Sequence, residues 1–405
     1  MSSNHPHAGP LGLRRALLGS ALGLPLAALG LGGAAPARAA GNGRILVVFE
    51  MSGGNDGLNT VVPYTDDEYY RLRPHLGIPA AKVRKLDEHF GLNPGMTGFE
   101  RLYHDGHLAI VHGCGYAQPS FSHFSSMAYW HTAAPNSGEQ TGWVGRMADQ
   151  LRPQPEPGYL VNIAATQSLA VRSVKHVPVV FDDPERFVRV SEPDQGALLD
   201  RADPVSGDPN PMRSYLRALA QSAHDISAQV RSACASYRTP VDYGVLALDL
   251  NKVAALIAAG LPTRLYYVSF RNNAFDTHVH QADTHGRLLT YVSDAVSAFL
   301  RDMERIGRAD DVVLMAFSEF GRRVPENANL GTDHGTAGPM FLAGRPVRGG
   351  QYSQPVSLSG RDADDNLRYT TDFRRVYASV AEGWLGVPDS SALLRGRFET
   401  FPIFG

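Results

Sequence analysis

The sequence predicts an α/β protein organised on a largely parallel sheet, and three observations carry that prediction. Short continuous apolar runs recur at residues 44–50 (RILVVFE), 108–112 (LAIVH), 263–270 (TRLYYVSF) and 311–317 (DVVLMAF), the pattern of strands covered on both faces. Between them lie stretches with apolar residues at helical spacing, such as Leu288, Val292, Ala295, Val296, Phe299, Met303 and Ile306. The runs end in polar turns rich in Gly, Asn, Asp, Glu or His, at the carboxyl rim where open α/β sheets hold ligands. The chain has 405 residues, enough for one large domain or two modest ones.

The elements follow in order. Arg14 and Arg15 precede an apolar run to Gly33, and Ala37-Arg38-Ala39 offers a small-x-small cleavage site. Residues 1–40 therefore read as a secretory signal of the twin-arginine type. The mature domain, 41–405, is expected in the periplasm or outside the cell, delivered by the twin-arginine export machinery. No later segment approaches ~20 uninterrupted apolar residues, so no stable membrane insertion is expected after cleavage. The run at 44–50 reads as a central strand ending in GGNDGLNT, where two glycines permit a tight turn and Asp56 sits on the rim. Residues 64–90 read as loops with a short helix, and Asn93-Pro94 opens a helix to about Tyr103. After the strand at 108–112, Ser120, Ser122 and His123 lead into the helix that begins near Met127.

Residues 132–262 read as an insertion or cap. Within it, 160–163, 169–171 and 177–181 read as short strands, 191–211 as an exposed loop, and 245–257 as a helix. His176 and His224 stand alone there and read as surface or core histidines. The strand at 263–270 ends in NAFDTHVHQ, which places Asp276, His278 and His280 together before the long helix. The strand at 311–317 ends in SEFGRR, with Glu319 and Arg322. The loop GTDHGTAG, with Asp333 and His334, precedes a short strand at 340–343. Residues 346–371 read as loops, and 373–385 as a closing amphipathic helix.

Composition excludes some functions. The formal net charge is −2, which gives no electrostatic case for nucleic-acid binding. The two cysteines, Cys114 and Cys234, exclude a thiolate metal site or a Cys-x-x-Cys redox motif and leave open whether they pair. Asp56, Asp276, His278, His280, Glu319, Asp333 and His334 are of the oxygen- and nitrogen-ligand type that suits a divalent cation such as zinc, manganese or calcium. Ser122 at a helix start would have oriented N–H groups around it, which favour a bound phosphate or sulfate. The plainer reading gives Ser122 a capping role only.

The segments GGNDGLNTVVPY (53–64), SHF (122–124), FDTH (275–278), SEFGRR (318–323) and GTDHGTAG (331–338) resemble domain-of-unknown-function family DUF1501. That family is related to the alkaline phosphatase-like superfamily, which includes sulfatases and phosphoglycerate mutases. The resemblance implies a three-layer α/β/α sandwich and one or two divalent ions. It implies a first-strand carboxylate at Asp56, a hydroxyl nucleophile at Ser122 or else Ser120, and ligands Asp276, His278 or His280, and His334, with Asp333-His334 as an alternative Asp-His pair. Two positions depart from the superfamily pattern: Glu319 replaces an aspartate, and Phe320 stands where a ligand histidine is expected. The sulfatase maturation motif is also missing, since Ala117 holds its cysteine position. The implied activity is metal-dependent hydrolysis of an anionic phosphate or sulfate ester, with Arg322 clamping the anion and His123 as general acid or base. The competing readings are a non-catalytic envelope protein that kept the fold, and a metal-free serine esterase.

Overall fold

The computed structural model describes residues 43–187 and 225–405. The segment expected as an export signal, the loop expected at 191–211 and His224 lie outside the described residues.

The chain opens on β1 (Ile45–Met51), every residue of which is buried. Helices α1 (Gly57–Thr60) and α2 (Asp67–Leu72) follow, with β2 (Val61–Val62), β3 (Arg84–Lys85) and β4 (Gly91–Leu92) forming a small antiparallel sheet. Helix α3 (Thr97–His104) leads to β5 (Leu108–Gly115). Helices α4 (His123–Thr132) and α5 (Trp143–Leu151) precede β6 (Leu160–Ile163) and β7 (Val179–Phe181). Helix α6 (Leu250–Ala258), β8 (Leu265–Phe270), the long α7 (Gln281–Arg305) and β9 (Val312–Phe317) restore the alternation. The chain ends with β10 (Gly338–Ala343), β11 (Gly350–Tyr352), β12 (Thr371–Asp372), α8 (Arg374–Ala378), which widens into the turn Ser379–Trp384, and α9 (Ser391–Leu394).

The main sheet runs β11-β5-β10-β9-β1-β8-β6-β7, with β12 also on β5. Central β1 pairs in parallel with β8 and β9. Strand β10 alone in this sheet is antiparallel to its neighbours, β5 and β9. That reversal matters for the site. The rim that receives the carboxyl ends of β1, β5, β8 and β9 receives the start of β10, and hence the loop that carries His334.

Alternation along β1 divides the core in two. Ile45, Val47, Phe49 and Met51 face α3, α6 and α7 through Phe99, Val253, Leu289, Val292 and Phe299. Leu46 and Val48 face α4, α5 and α8 through Trp130, Trp143, Met147, Val376 and Tyr377. The fold is a three-layer α/β/α sandwich, as expected. The apolar face expected on α7 is buried from Leu288 to Met303. Each such fully buried side chain contributes about 1.5–3 kcal/mol of transfer free energy.

Part of the stretch expected as an insertion or cap, 132–262, joins the main sheet. Strand β6 pairs with β8 and β7 with β6, both in parallel, and α6 packs into the core. The described parts of this stretch therefore extend the sandwich. Residues 169–171, expected as a strand, form a single 3₁₀ turn, because Ser168 caps it by accepting from the Ala170 N–H. Cys114, which is buried, and Cys234 are unpaired. Among the described residues no helix is long and apolar enough to cross a membrane.

Candidate metal centre

Three loops meet above the rim because glycines let them. Gly53 has φ of 118°, and a Cβ there would lie 2.6 Å from the Asp276 nitrogen and 2.7 Å from the Asn273 oxygen. A side chain at 53 would push the β1 turn off the FDTH loop. Gly331 does the same for the GTDH loop, since its Cβ would stand 2.2 Å from the His278 carbonyl.

The Asp276 carboxylate is the hub. Its Oδ1 lies 3.0 Å from His278 Nε2, 3.1 Å from His334 Nε2 and 2.8 Å from an Arg322 Nη. Its Oδ2 lies 3.3 Å from His123 Nε2. His278 Nε2 and His334 Nε2 are 2.9 Å apart. Each imidazole is held from behind by its other nitrogen. His334 Nδ1 donates to the Phe121 carbonyl at 2.7 Å, and a carbonyl only accepts, so the Nε2 of neutral His334 carries a lone pair. His123 Nδ1 sits 2.8 Å from Glu319 Oε1, with the same consequence. His278 Nδ1 has Asp333 Oδ1 at 3.4 Å.

This back-anchoring is the arrangement that orients histidine ligands on a metal. One atom in it is left over. His123 Nε2 is buried without a hydrogen-bond partner, although Asp276 is close. Donor atoms of His123, Asp276 and His334 lie within 4.8 Å of one another, a spacing that could hold an ion. The donor set, imidazole nitrogen with carboxylate oxygen, fits zinc or another borderline divalent cation.

The carboxylate at the hub stays ionised. Burial pushes the Asp276 pKa up, but the hydrogen bond from Arg322 and the Arg322 charge outweigh it and hold the group at about 2. The hydrogen bond to Glu319 raises the His123 pKa against the opposing effect of burial. Burial lowers that of His334.

Several expected ligands have other employment. Asp56 is fully buried, and its Oδ2 takes Arg73 at 2.6 Å and Gln281 at 2.5 Å. Its other oxygen caps α1 through the Leu58 N–H at 3.2 Å. It is a structural ion pair beneath the rim. Glu319 is also fully buried and accepts from the Gly53 N–H, the Gly54 N–H and Ser318 as well as from His123. It holds a ligand and is itself enclosed. Asp333 takes Asn327 at 3.0 Å and backs His278. His280 is exposed at the N-cap of α7, with φ of 45°, away from the cluster.

The expected catalytic residues are likewise redistributed. Arg322 is buried and its N–H groups are spent on Gly53, Gly54, Phe275, Thr332 and Asp276. It braces the loops and, being buried, is not presented to an anion. His123, expected as acid or base, turns its free nitrogen into the cluster. Ser122 is exposed at the start of α4, and its Oγ accepts from the Ser125 N–H at 3.5 Å, a weak cap. Phe320 lies against His123 and His334, with ring centroids 4.9 and 4.7 Å away.

The DUF1501 family model, described as a protein of unknown function, matches residues 43–376. The chain belongs to the DUF1501 family. Among curated proteins none matches the sequence. Solved structures similar to this DUF1501 chain include the zinc complex of the C-terminal periplasmic domain of EcEptC from Escherichia coli. That one is 10% identical, covers 75% of this chain and 74% of its own, and has a TM-score of 0.38. The phosphonate monoester hydrolase SpPMH from Silicibacter pomeroyi is 10% identical over 88% of this chain and 75% of its own, with a TM-score of 0.36. BT1596, a 2-O GAG sulfatase, is 9% identical over 87% of this chain and 70% of its own, with a TM-score of 0.31.

Proposed function

We propose that this DUF1501 protein is an exported hydrolase of phosphate or sulfate esters that uses one divalent cation. The observation that carries the reading is the convergence of His123, His278 and His334 through Nε2 on Asp276, each ring held from behind. These four residues would hold the ion. When bound, a divalent cation supplies Lewis acidity that polarises an ester oxygen and lowers the pKa of a nearby hydroxyl or water.

The chain's own residues do the rest. Asp276 stays ionised, and Glu319 holds the His123 ring by its Nδ1 so that Nε2 faces Asp276. The N–H groups at the start of the ten-residue α4 favour an anion beside Ser122, the hydroxyl we assign as nucleophile. Phe320 stands where the superfamily pattern has a ligand histidine and offers no donor atom, so one ion is preferred to two. Arg322 is spent, so the anion clamp passes to Arg323, whose Nε is buried without a partner and whose charge is felt at Asp333. The export signal expected at residues 1–40 supports action in the periplasm or outside the cell.

A second reading, a non-catalytic metal-binding envelope protein, is favoured by the Ser122 hydroxyl being turned to its own helix. Elemental analysis of the purified protein, together with hydrolysis of aryl phosphates and aryl sulfates by wild type and His334→Ala, separates the two. The hydrolase reading expects bound metal and a turnover that His334→Ala abolishes. Bound metal with no turnover on any ester supports the envelope reading. Absence of metal sinks both.

A further inference from the structure

Three residues close in the chain to the centre carry apolar side chains that the fold leaves in water. Phe124 is 87% exposed, Val279 54% and Phe121 42%. Each is tied to the cluster by the chain. Phe124 follows His123, Val279 follows His278, and the Phe121 carbonyl anchors His334. Scattered exposed apolar residues are ordinary, but here they are pinned to three separate arms of one site. The same loops offer few polar groups to read an organic moiety, since Arg322, Glu319 and Asp333 are engaged with their neighbours.

Resting on the ester-hydrolase reading, we propose that the ester carries an apolar alkyl or aryl group which Phe121, Phe124 and Val279 cover while its anionic head lies at Asp276 and the histidines. A ring exposed as fully as Phe124 loses much of its water contact when such a group lies on it, and each methylene so buried strengthens binding about fourfold. Two sources share this chemistry, a dispersed amphiphile and a lipid headgroup held in a membrane.

Equilibrium binding of two non-hydrolysable probes to zinc-loaded full-length protein tests the proposal. Octylphosphonate is expected to bind about tenfold or more tighter than methylphosphonate. Phe124→Ser is expected to remove most of that preference and leave methylphosphonate binding in place. Val174→Ser, an equally open apolar site on the loop held by Asp149, is expected to leave the preference intact and serves as the control. Co-sedimentation with phosphatidylcholine vesicles, with and without phosphatidic acid, distinguishes the sources: vesicle capture lost in Phe124→Ser indicates the membrane-borne one, and solution binding alone indicates the dispersed one. An equal affinity for the two phosphonates, or a preference that survives Phe124→Ser, overturns the proposal and leaves the hydrolase reading standing. Failure of both phosphonates to bind overturns both. A wild-type oligomer that Phe124→Ser dissociates also overturns it, because the rim is then a contact between copies.

Discussion

Asp56 and Asp276 both sit just past the carboxyl end of a central strand, one after β1 and the other after β8. Asp56 lies in a floor where nothing is left over. Arg73, Gln281 and the start of α1 use its oxygens, and Arg73 in turn is spent on Asn59, Arg323 and Val324. Asp276 lies in a mouth that is left incomplete, with imidazole nitrogens facing it and one of them buried without a partner. The histidines divide the same way. His285 in the floor is buried and hydrogen-bonded to Asn55 at 2.8 Å, whereas His123 keeps a nitrogen to spend. Position on a rim does not separate a ligand from a brace; the partners packed around it do. A fully buried carboxylate with a dedicated guanidinium is a closed pair, and a partly exposed carboxylate ringed by imidazoles, whose arginine is shared with backbone carbonyls, is open to a cation.

The comparison can be broken most sharply at Asp56. Asp56→Ala should leave Arg73 buried and unpaired and cost about 3–5 kcal/mol in urea unfolding, while the folded fraction still binds zinc. Asp276→Ala should do the reverse, losing the metal with little loss of stability. Similar behaviour of the two variants would erase the distinction between floor and mouth.

Acid should reach the floor next. Burial holds the His285 pKa down at about 4, below the ordinary imidazole value of about 6.5. The unfolded imidazole takes up its proton near 6.5 and the folded one only near 4, so this contribution is whole above pH 6.5 and is lost as pH falls from there towards 4. It amounts to roughly 3 kcal/mol at 1.36 kcal/mol per unit. In denaturant melts across that window, His285→Gln should show a shallower decline than wild type; parallel curves would count against a buried neutral imidazole.

Glu319 joins the two regions. Glu319→Gln should weaken zinc about 10–100-fold by calorimetry, the usual effect of losing a carboxylate behind a histidine ligand. An unchanged affinity in a folded variant would mean that His123 is not a ligand.

The smallest structural effect is expected at Ser122. Ser122→Ala should lower stability by only about 0.5 kcal/mol, the low end for a lost cap, yet remove ester turnover while metal stays bound. Full turnover in that variant would return Ser122 to a capping role.

Much of the fold was legible before any coordinates. The apolar runs at 44–50, 108–112, 263–270 and 311–317 became β1, β5, β8 and β9, and the spacing after Leu288 became α7. These are local signals, since a strand covered on both faces must be apolar throughout and a helix must repeat every 3.6 residues. The region 132–262 was harder, because the short runs at 160–163 and 179–181 say nothing about which edge they join. Of the site, Asp276, His278 and His334 were legible as ligand types. His123 was noticed for another role, and the clue available was its place beside Ser122 at a helix start. Nothing near Asp56 or Glu319 in sequence announced that they would be enclosed.

By itself the sequence determined the layers, the rim and the chemical types gathered there, because those follow from periodicity and from parallel strands ending on one side. Only the tertiary structure decided which carboxylate was neutralised. Arg73 comes from 17 residues beyond Asp56, and Arg322 from 46 beyond Asp276, where it spends most of its donors on backbone carbonyls. A charge is free or spent according to the donors packed around it, and that is a property of three-dimensional contact which no local pattern contains.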